Sequence, residues 1–242
     1  MRKELKRQIK EDELVSGFEH AVRFVQVNQQ GFQGGVLVAV VVLAAAWGYT
    51  TWSARRTAQA EAAFSDALTI FEAPLRSDVP QGSQLPPTLQ VYETAAEKYK
   101  KAAAAFDGVE RLYGGHPVAL RARYFGALAR AEAGETGEAQ KQLESVALQA
   151  GALESALAKL ALAELLRKTD PAKAAEAFSK LANDPAWPLP KDHALMELAE
   201  TQEQAKKPAD AKATYKRVAD EFPTSVYASE ARRRAENLAS IG

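Results

Sequence analysis

Residues 171–181 read PAKAAEAFSKL, and the pattern of this stretch recurs along most of the chain. Ala174, Phe178 and Leu181 are spaced i, i+4, i+7, which places a small, a large and a medium apolar side chain on one stripe of a helix. The small positions are Ala102, Ala139, Ala174 and Ala211, the large ones are Phe106, Leu143, Phe178 and Tyr215, and the medium ones are Val109, Val146, Leu181 and Val218. Their intervals of 37, 35 and 37 residues predict a repeat architecture.

Short turns precede three of the four triplets, at residues 134–136, 169–171 and 206–208. Pro171 and Pro208 suit the first turn of a helix, where a missing N–H costs nothing. Upstream of these turns, amphipathic first helices are predicted at about Val118 to Ala133, Leu153 to Lys168 and Asp192 to Lys206. Each repeat is therefore predicted to be a helical hairpin, and the hairpins to stack into an all-α solenoid.

The repeat domain is predicted to cover residues 53–242. A helix at 53–71 would pair with the helix that carries the first triplet, and the proline-rich stretch 73–87 would be a loop inserted between them. At the other end, residues 221–238 read EFPTSVYASEARRRAENL and predict one more helix. Its arginine-rich face would stay in solvent, as expected for a C-terminal capping helix.

A span of the membrane is predicted near the start of the chain, at residues 33–52. From Gly31 to Ala54 there are 24 residues without a charge, enough for about 36 Å of helix against a hydrocarbon core of about 30 Å. Aromatic residues at its C-terminal end suit the headgroup layer. The sequence therefore predicts a single-pass protein that contacts the lipid bilayer.

Other interpretations of this apolar stretch remain open. It could be the buried core helix of a soluble protein, although its length and valine content argue against that. It could also be a cleavable signal peptide with a site at Ala44–Ala46, but the charged sequence before it is longer than a normal n-region. Gly31, Gly35 and Ala39 lie four residues apart and could pack against a second span, which is a weak signal.

Residues 1–32 are predicted to form a helical, cytoplasmic tail. Six basic residues precede the span, namely Arg2, Lys3, Lys6, Arg7, Lys10 and Arg23. The positive-inside rule therefore puts the N-terminus in the cytoplasm and the repeat domain in the periplasm, at the inner (plasma) membrane. Arg55 and Arg56, directly after the span, argue for the opposite topology, in which the repeats face the cytoplasm.

Composition argues against several functions. Thirty-one basic and 31 acidic residues cancel, so no positive field favours nucleic acid. The chain has no cysteine, and its three histidines have no metal-ligand spacing. Glycine-rich phosphate loops and nucleophile motifs are also missing. We therefore expect no enzyme activity, no cofactor, no metal and no small-molecule substrate.

The alanine, aromatic and aliphatic columns resemble the second helix of tetratricopeptide repeats, although the period is slightly longer and the first-helix Trp and Gly are missing. The charged tail, the single span, the repeats, Trp187 and the ending ENLAS also resemble the YfgM-type ancillary subunits of the SecYEG translocon. That resemblance implies a periplasmic protein-binding module whose partners are the translocon, periplasmic chaperones or client polypeptides.

The ending FPTSxxASxARxxxxNL is similar to repeats of outer-membrane assembly lipoproteins and TolA-binding proteins, although this chain lacks a lipobox cysteine. The alternative function is therefore a structural subunit of a larger envelope assembly complex. In that case one fixed neighbour would fill the binding surface.

If the repeats follow the tetratricopeptide pattern, their first helices line a groove for an extended peptide or a partner helix. Counting back from the alanine column predicts the protein-binding residues Arg121, Tyr124, Leu128, Lys159, Ala163, His193, Met196, Glu200 and Glu203. The competing interpretation is that these residues are ordinary polar helix surface. Trp187 is similarly either a loop anchor on the core or a binding hot spot.

Overall fold

The computed structural model describes residues 29–80, 82, 86, 89–149 and 151–239. It confirms the all-α prediction, since every regular element longer than a single turn in those ranges is an α-helix. The helices are α1 Gln29–Glu72, α2 Ala95–Leu112, α3 Pro117–Glu132, α4 Thr136–Gln149, α5 Ala152–Thr169, α6 Pro171–Asn183, α7 Lys191–Gln204, α8 Pro208–Glu221 and α9 Ala228–Ala239. Residues 1–28, most of the predicted cytoplasmic tail, lie outside the described ranges.

The chain divides into two compact units, residues 1–58 and 59–242. In the first, α1 carries a stretch that is long and apolar enough to cross a membrane, and none of that stretch is buried within the described chain. Its valines and leucines are exposed, as are Trp47, Tyr49 and Trp52. The Arg56 guanidinium lies over the Trp52 ring. An exposed surface of this composition is what a helix in contact with lipid requires.

The second unit consists of stacked helical hairpins. From α2 onward each helix packs against the next one in the chain, and the first helices α3 and α5 also contact each other. All twelve side chains of the three predicted columns are buried, with exposed fractions of 9% or less. The repeat prediction is therefore confirmed in both its period and its inward-facing stripe.

An aromatic cluster joins the first hairpin to the second. The Phe106 ring of α2 lies 5.6 Å from that of Phe64 in α1 and 5.8 Å from that of Phe125 in α3. Phe71 packs against the same rings and, edge to face, against Tyr99 at 5.5 Å. These contacts pair the helix at 53–71 with the first triplet helix, as the sequence predicts.

Two arginines of α3 link the helices on either side of it. Arg123 donates to Glu110 of α2 and to Ser145 and Gln149 of α4. Arg130 pairs with Asp107 of α2 and donates to Gln142 of α4. Between the two arginines lies Gly126, where an added Cβ would be 3.3 Å from the Cβ of Phe106. A glycine therefore permits the close approach of α2 and α3 at this point.

The connection between α1 and α2 is held to the repeat unit by its ends. Its described residues include a short 3₁₀ turn, Arg76–Asp78, and a bridge between Leu75 and Tyr92. The Lys98 ammonium is buried and donates to the Ala73 carbonyl at 3.0 Å.

Farther along the chain, Trp187 is 8% exposed and belongs to the core between α6 and α7, which supports its interpretation as a loop anchor.

Thr94→Ala is expected to lower the free energy of unfolding by about 1 kcal/mol, because the Thr94 hydroxyl caps α2 by accepting a hydrogen bond from the Glu97 N–H. Urea unfolding followed by circular dichroism would measure the change. Thr69→Ala is the control, since Thr69 lies inside a helix and its hydroxyl only bonds back to Ser65. An equal loss in both variants would argue against a capping role.

Candidate functional site

An open cavity of about 470 Å³ lies along the first helices of the hairpins. Its lining residues come from α1 to α5, and most of them belong to α3 and α5. They are Phe71, Tyr99, Leu128, Ala131, Glu132, Leu143, Ala161, Glu164, Leu165, Arg167 and Lys168. We call this space the groove cavity. Its volume is within the range of about 300–1,000 Å³ that is typical of binding pockets, and its walls combine apolar and charged side chains.

The three predicted residues of α3 lie on one stripe of that helix, at spacings of three and four. Leu128 lines the groove cavity, and Tyr124 packs edge to face on Phe125 with ring centroids 5.3 Å apart. Arg121 forms an ion pair with Glu61 of α1, and its guanidinium lies 5.0 Å from the centroid of the Phe64 ring. All three side chains are half-buried, so each keeps a surface that a partner could contact.

The predicted residues of α5 differ in their exposure. Lys159 is exposed, whereas Ala163 is fully buried and belongs to the core shared with α6 and α7. Ala163 is therefore not part of the groove surface. The neighbouring Glu164, which the sequence pattern did not single out, is the residue of this turn that lines the cavity.

On α7 the predicted residues also divide between the surface and the core. Met196 is buried, while His193, Glu200 and Glu203 are half-buried. Glu203 accepts hydrogen bonds from the Tyr215 hydroxyl at 2.9 Å and from Arg234 at 3.0 Å. The His193 ring lies 5.8 Å from that of Tyr227. Of the predicted binding residues, Leu128 lines the groove cavity, whereas Ala163 and Met196 are buried in the core.

Ion pairs use most of the charges around the groove cavity. Arg167 pairs with Glu197 and, at 3.8 Å, with Glu200. Lys168 pairs with Glu132 at 3.7 Å. Within the described ranges, Glu164 has no hydrogen bond or ion pair of its own. Its pKa is raised, chiefly because burial disfavours the charged carboxylate and secondarily because Glu197 repels it.

The Tyr124 hydroxyl is also partly buried and lies within electrostatic range of Glu164. Burial and, to a lesser degree, the charge of Glu164 raise its pKa above the usual value for tyrosine. Desolvation is the largest cause of both pKa shifts, so this part of the groove wall is partly dehydrated. Among the described residues, no group of three or more His, Cys, Asp or Glu side chains is arranged to hold a metal ion.

Comparison with known families agrees with this architecture. A family model described as a tetratricopeptide repeat-like domain matches residues 23–188, which is more than half of the chain. The chain belongs to this family. A second model, described as a tetratricopeptide repeat, matches residues 193–225, so the repeats extend through α7 and α8. No curated protein matches the chain.

Tetratricopeptide repeats are generally non-catalytic protein-interaction modules. Membership of this family therefore agrees with the groove cavity, whose lining side chains offer apolar surface and charge to a protein partner. The sequence missed Glu164, Arg167 and Lys168 because it counted back from the alanine column in the consensus register. A signal for Glu164 and Lys168 existed, since Ala161, Glu164, Leu165 and Lys168 are spaced i, i+3, i+4, i+7 and so share one stripe of a helix.

Glu164→Gln in this tetratricopeptide-repeat chain is expected to raise the melting temperature at pH 7. The folded state, with its raised pKa, retains the Glu164 proton at pH values where the unfolded state has released it. Stability from this group therefore falls as pH rises from the unfolded pKa of about 4.3 through the folded one. The neutral amide of glutamine does not ionise and so avoids this loss of stability. The increase in melting temperature should therefore disappear below about pH 4.

Thermal melts at pH 7.5 and pH 4 would measure this dependence. Glu176→Gln on α6 is the matched control, because a hydrogen bond from Lys180 lowers the pKa of the exposed Glu176 carboxyl. Its contribution is present above the unfolded pKa and is lost as pH falls through the folded one, so the control should give no gain at pH 7. An identical response in both variants would contradict the assignment.

Proposed function

We propose that this protein is a membrane-anchored protein–protein interaction module whose groove cavity binds polypeptide. The supporting observation is the open cavity along the first helices, where apolar side chains lie beside the charged groups of Glu164, Arg167 and Lys168. Tetratricopeptide repeats use this kind of stacked hairpin to present an extended surface for binding. The protein has no catalytic role in this proposal.

The contact surface that we propose consists of the predicted residues that keep exposed area. They are Arg121, Tyr124, Leu128, Lys159, His193, Glu200 and Glu203. Ala163 and Met196 act indirectly, since they are buried beneath the surface and hold it in place. A half-buried tyrosine and leucine among charges of both signs suit a partner of modest affinity and broad specificity.

We further propose that the apolar stretch of α1 anchors the chain in the inner membrane, with the repeats in the periplasm and the partners found among the translocon, chaperones or secreted clients. The exposed valine-rich surface supports the anchor. The six basic residues before the span support the topology. Protease digestion of spheroplasts tests this part, because survival of the repeat unit in intact spheroplasts would contradict a periplasmic location.

Site-specific photocrosslinking tests the binding function. We would replace Tyr124 or His193 with p-benzoylphenylalanine, because both are half-buried residues of the proposed contact surface, whereas Met196 is too buried to replace without disturbing the core. Many crosslinked polypeptides are expected. Lys141, which is exposed on α4, is the control position and should crosslink much less.

Two other results would count against the proposal. A single stoichiometric product at Tyr124 would favour the structural-subunit alternative, in which one fixed neighbour fills the groove. Equal crosslinking from Tyr124 and Lys141 would mean that the groove face has no special role.

A further inference from the structure

The charges around the groove cavity do not balance locally. The acidic groups are Glu132, Glu164, Glu197 and Glu200, and they face the cations Arg167, Lys168 and Arg234 together with His193. All three cations are already paired, Lys168 with Glu132, Arg167 with the two glutamates of α7, and Arg234 with Glu200. Among the described residues the Glu164 carboxylate therefore forms no ion pair of its own, although the more distant charges of Arg167, His193 and Lys168 favour its ionised form.

Apolar side chains lie in the same cavity as this carboxylate. Phe71 and Tyr99 form one wall as an edge-to-face pair, and Leu128 and Leu165 contribute to the lining. Leu165 is 7% exposed, and Leu128 packs on the core below. A volume of about 470 Å³ can take a large apolar side chain together with part of its neighbours.

A partly dehydrated carboxylate without a partner is costly, and a ligand that supplies a cation recovers that cost. The alternative of an acidic ligand is disfavoured, because it would place a further negative charge beside Glu164, Glu197 and Glu200. Arg167 does not serve as the direct ion-pair partner of Glu164, because its guanidinium already bonds to Glu197 and lies 3.8 Å from Glu200.

We infer that the groove cavity selects polypeptide segments in which a large apolar residue is adjacent to a lysine or arginine, with the apolar side chain between Tyr99 and Leu128 and the cation on Glu164. This inference rests on the proposed function, because it specifies which polypeptides the groove takes. Its occupant is a basic, apolar segment of another protein. The ion pair forms at the wall of a cavity where water is partly excluded, so it contributes more than an exposed pair would.

The test uses the full chain in nanodiscs of phosphatidylcholine, whose neutral headgroups do not attract basic peptides. A random twelve-residue peptide library is selected against this protein, and a dye-labelled peptide from the selection is compared with its Lys→Gln or Arg→Gln version. The wild type is expected to bind the cationic peptide about tenfold more tightly, as one charge-assisted hydrogen bond would give.

A double-mutant cycle then assigns this preference to one residue. In Glu164→Gln the tenfold difference between the two peptides should disappear, while in the exposed control Glu176→Gln it should remain. Glu164→Gln is isosteric, and a melting temperature at or above that of the wild type would show that it folds. High salt should reduce the preference in the wild type and in Glu176→Gln, and should change nothing in Glu164→Gln.

Several results would overturn the inference. Selected peptides without lysine or arginine, a preference for acidic peptides, or a cationic preference that persists in Glu164→Gln would each do so. If peptides bind without charge preference and crosslink to Tyr124, the proposed function stands and only this inference fails. If no peptide binds and Tyr124 crosslinks to nothing, both fail.

Discussion

Phe106→Ala is expected to lower the free energy of unfolding of the repeat unit by about 3–5 kcal/mol. The Phe106 side chain is fully buried and packs against the rings of Phe64, Phe71 and Phe125 at centroid distances between 5.6 and 6.3 Å. Its removal deletes a large apolar surface and three aromatic contacts, and it leaves a cavity between α1, α2 and α3.

Urea unfolding of the full chain in detergent micelles, followed by circular dichroism, would measure this loss. Leu112→Ala on the same helix is the control, because Leu112 is 64% exposed and its truncation should change stability by less than about 0.5 kcal/mol. A loss of under about 1 kcal/mol for Phe106→Ala would mean that the aromatic cluster is not packed as described.

The effect should also be local. Each hairpin contacts mainly its neighbours, so the stability of a repeat array is close to a sum of repeat and interface contributions. Hydrogen exchange is therefore expected to accelerate in α2 and α3 and to change little in α8 and α9. Uniform acceleration along the unit would instead indicate that the repeats unfold as one.

The repeat fold could be predicted from sequence because helix geometry alone determines which side chains share a stripe. Ala139, Leu143 and Val146 occur at i, i+4, i+7, so a helix that packs this stripe against a neighbour along its length buries all three. The recurrence of this triplet identified the hairpins without knowledge of how they pack. The long, exposed, valine-rich helix was predictable for the similar reason that length and apolarity are local properties.

The groove could be predicted only in part, because its residues depend on how neighbouring hairpins are rotated. Ala163 and Glu164 are adjacent in sequence, yet the first is buried against α6 and α7 and the second lines the cavity. A consensus register applied to repeats of unequal length misses such a shift by one residue. The pairing of Arg167 with Glu197 was likewise invisible, since the two lie 30 residues apart on different hairpins.

The distribution of polar groups supports a division of roles between the two faces of the hairpins. Arg123 and Arg130 each satisfy several partners on α2 and α4, so they stabilise the packing of successive repeats. Glu164 and Tyr124, on the groove, have raised pKa values and destabilising surroundings. Groups that lower the stability of the free protein are the ones expected to form the most favourable new interactions when a partner binds.

Ala174→Leu is expected to destabilise the repeat unit by about 1–3 kcal/mol, because Ala174 is fully buried in the core that also contains Ala156 and Ala163 of α5. Leucine and alanine have similar helix propensities, so the loss would report the close approach of α5 and α6 rather than helix formation. Ala172→Leu is the control, since Ala172 is exposed on the same helix. Urea unfolding of both variants would measure the difference. If Ala174→Leu were as stable as Ala172→Leu, the small column would not be needed for the hairpins to pack, and the 37, 35 and 37-residue pattern would have another cause.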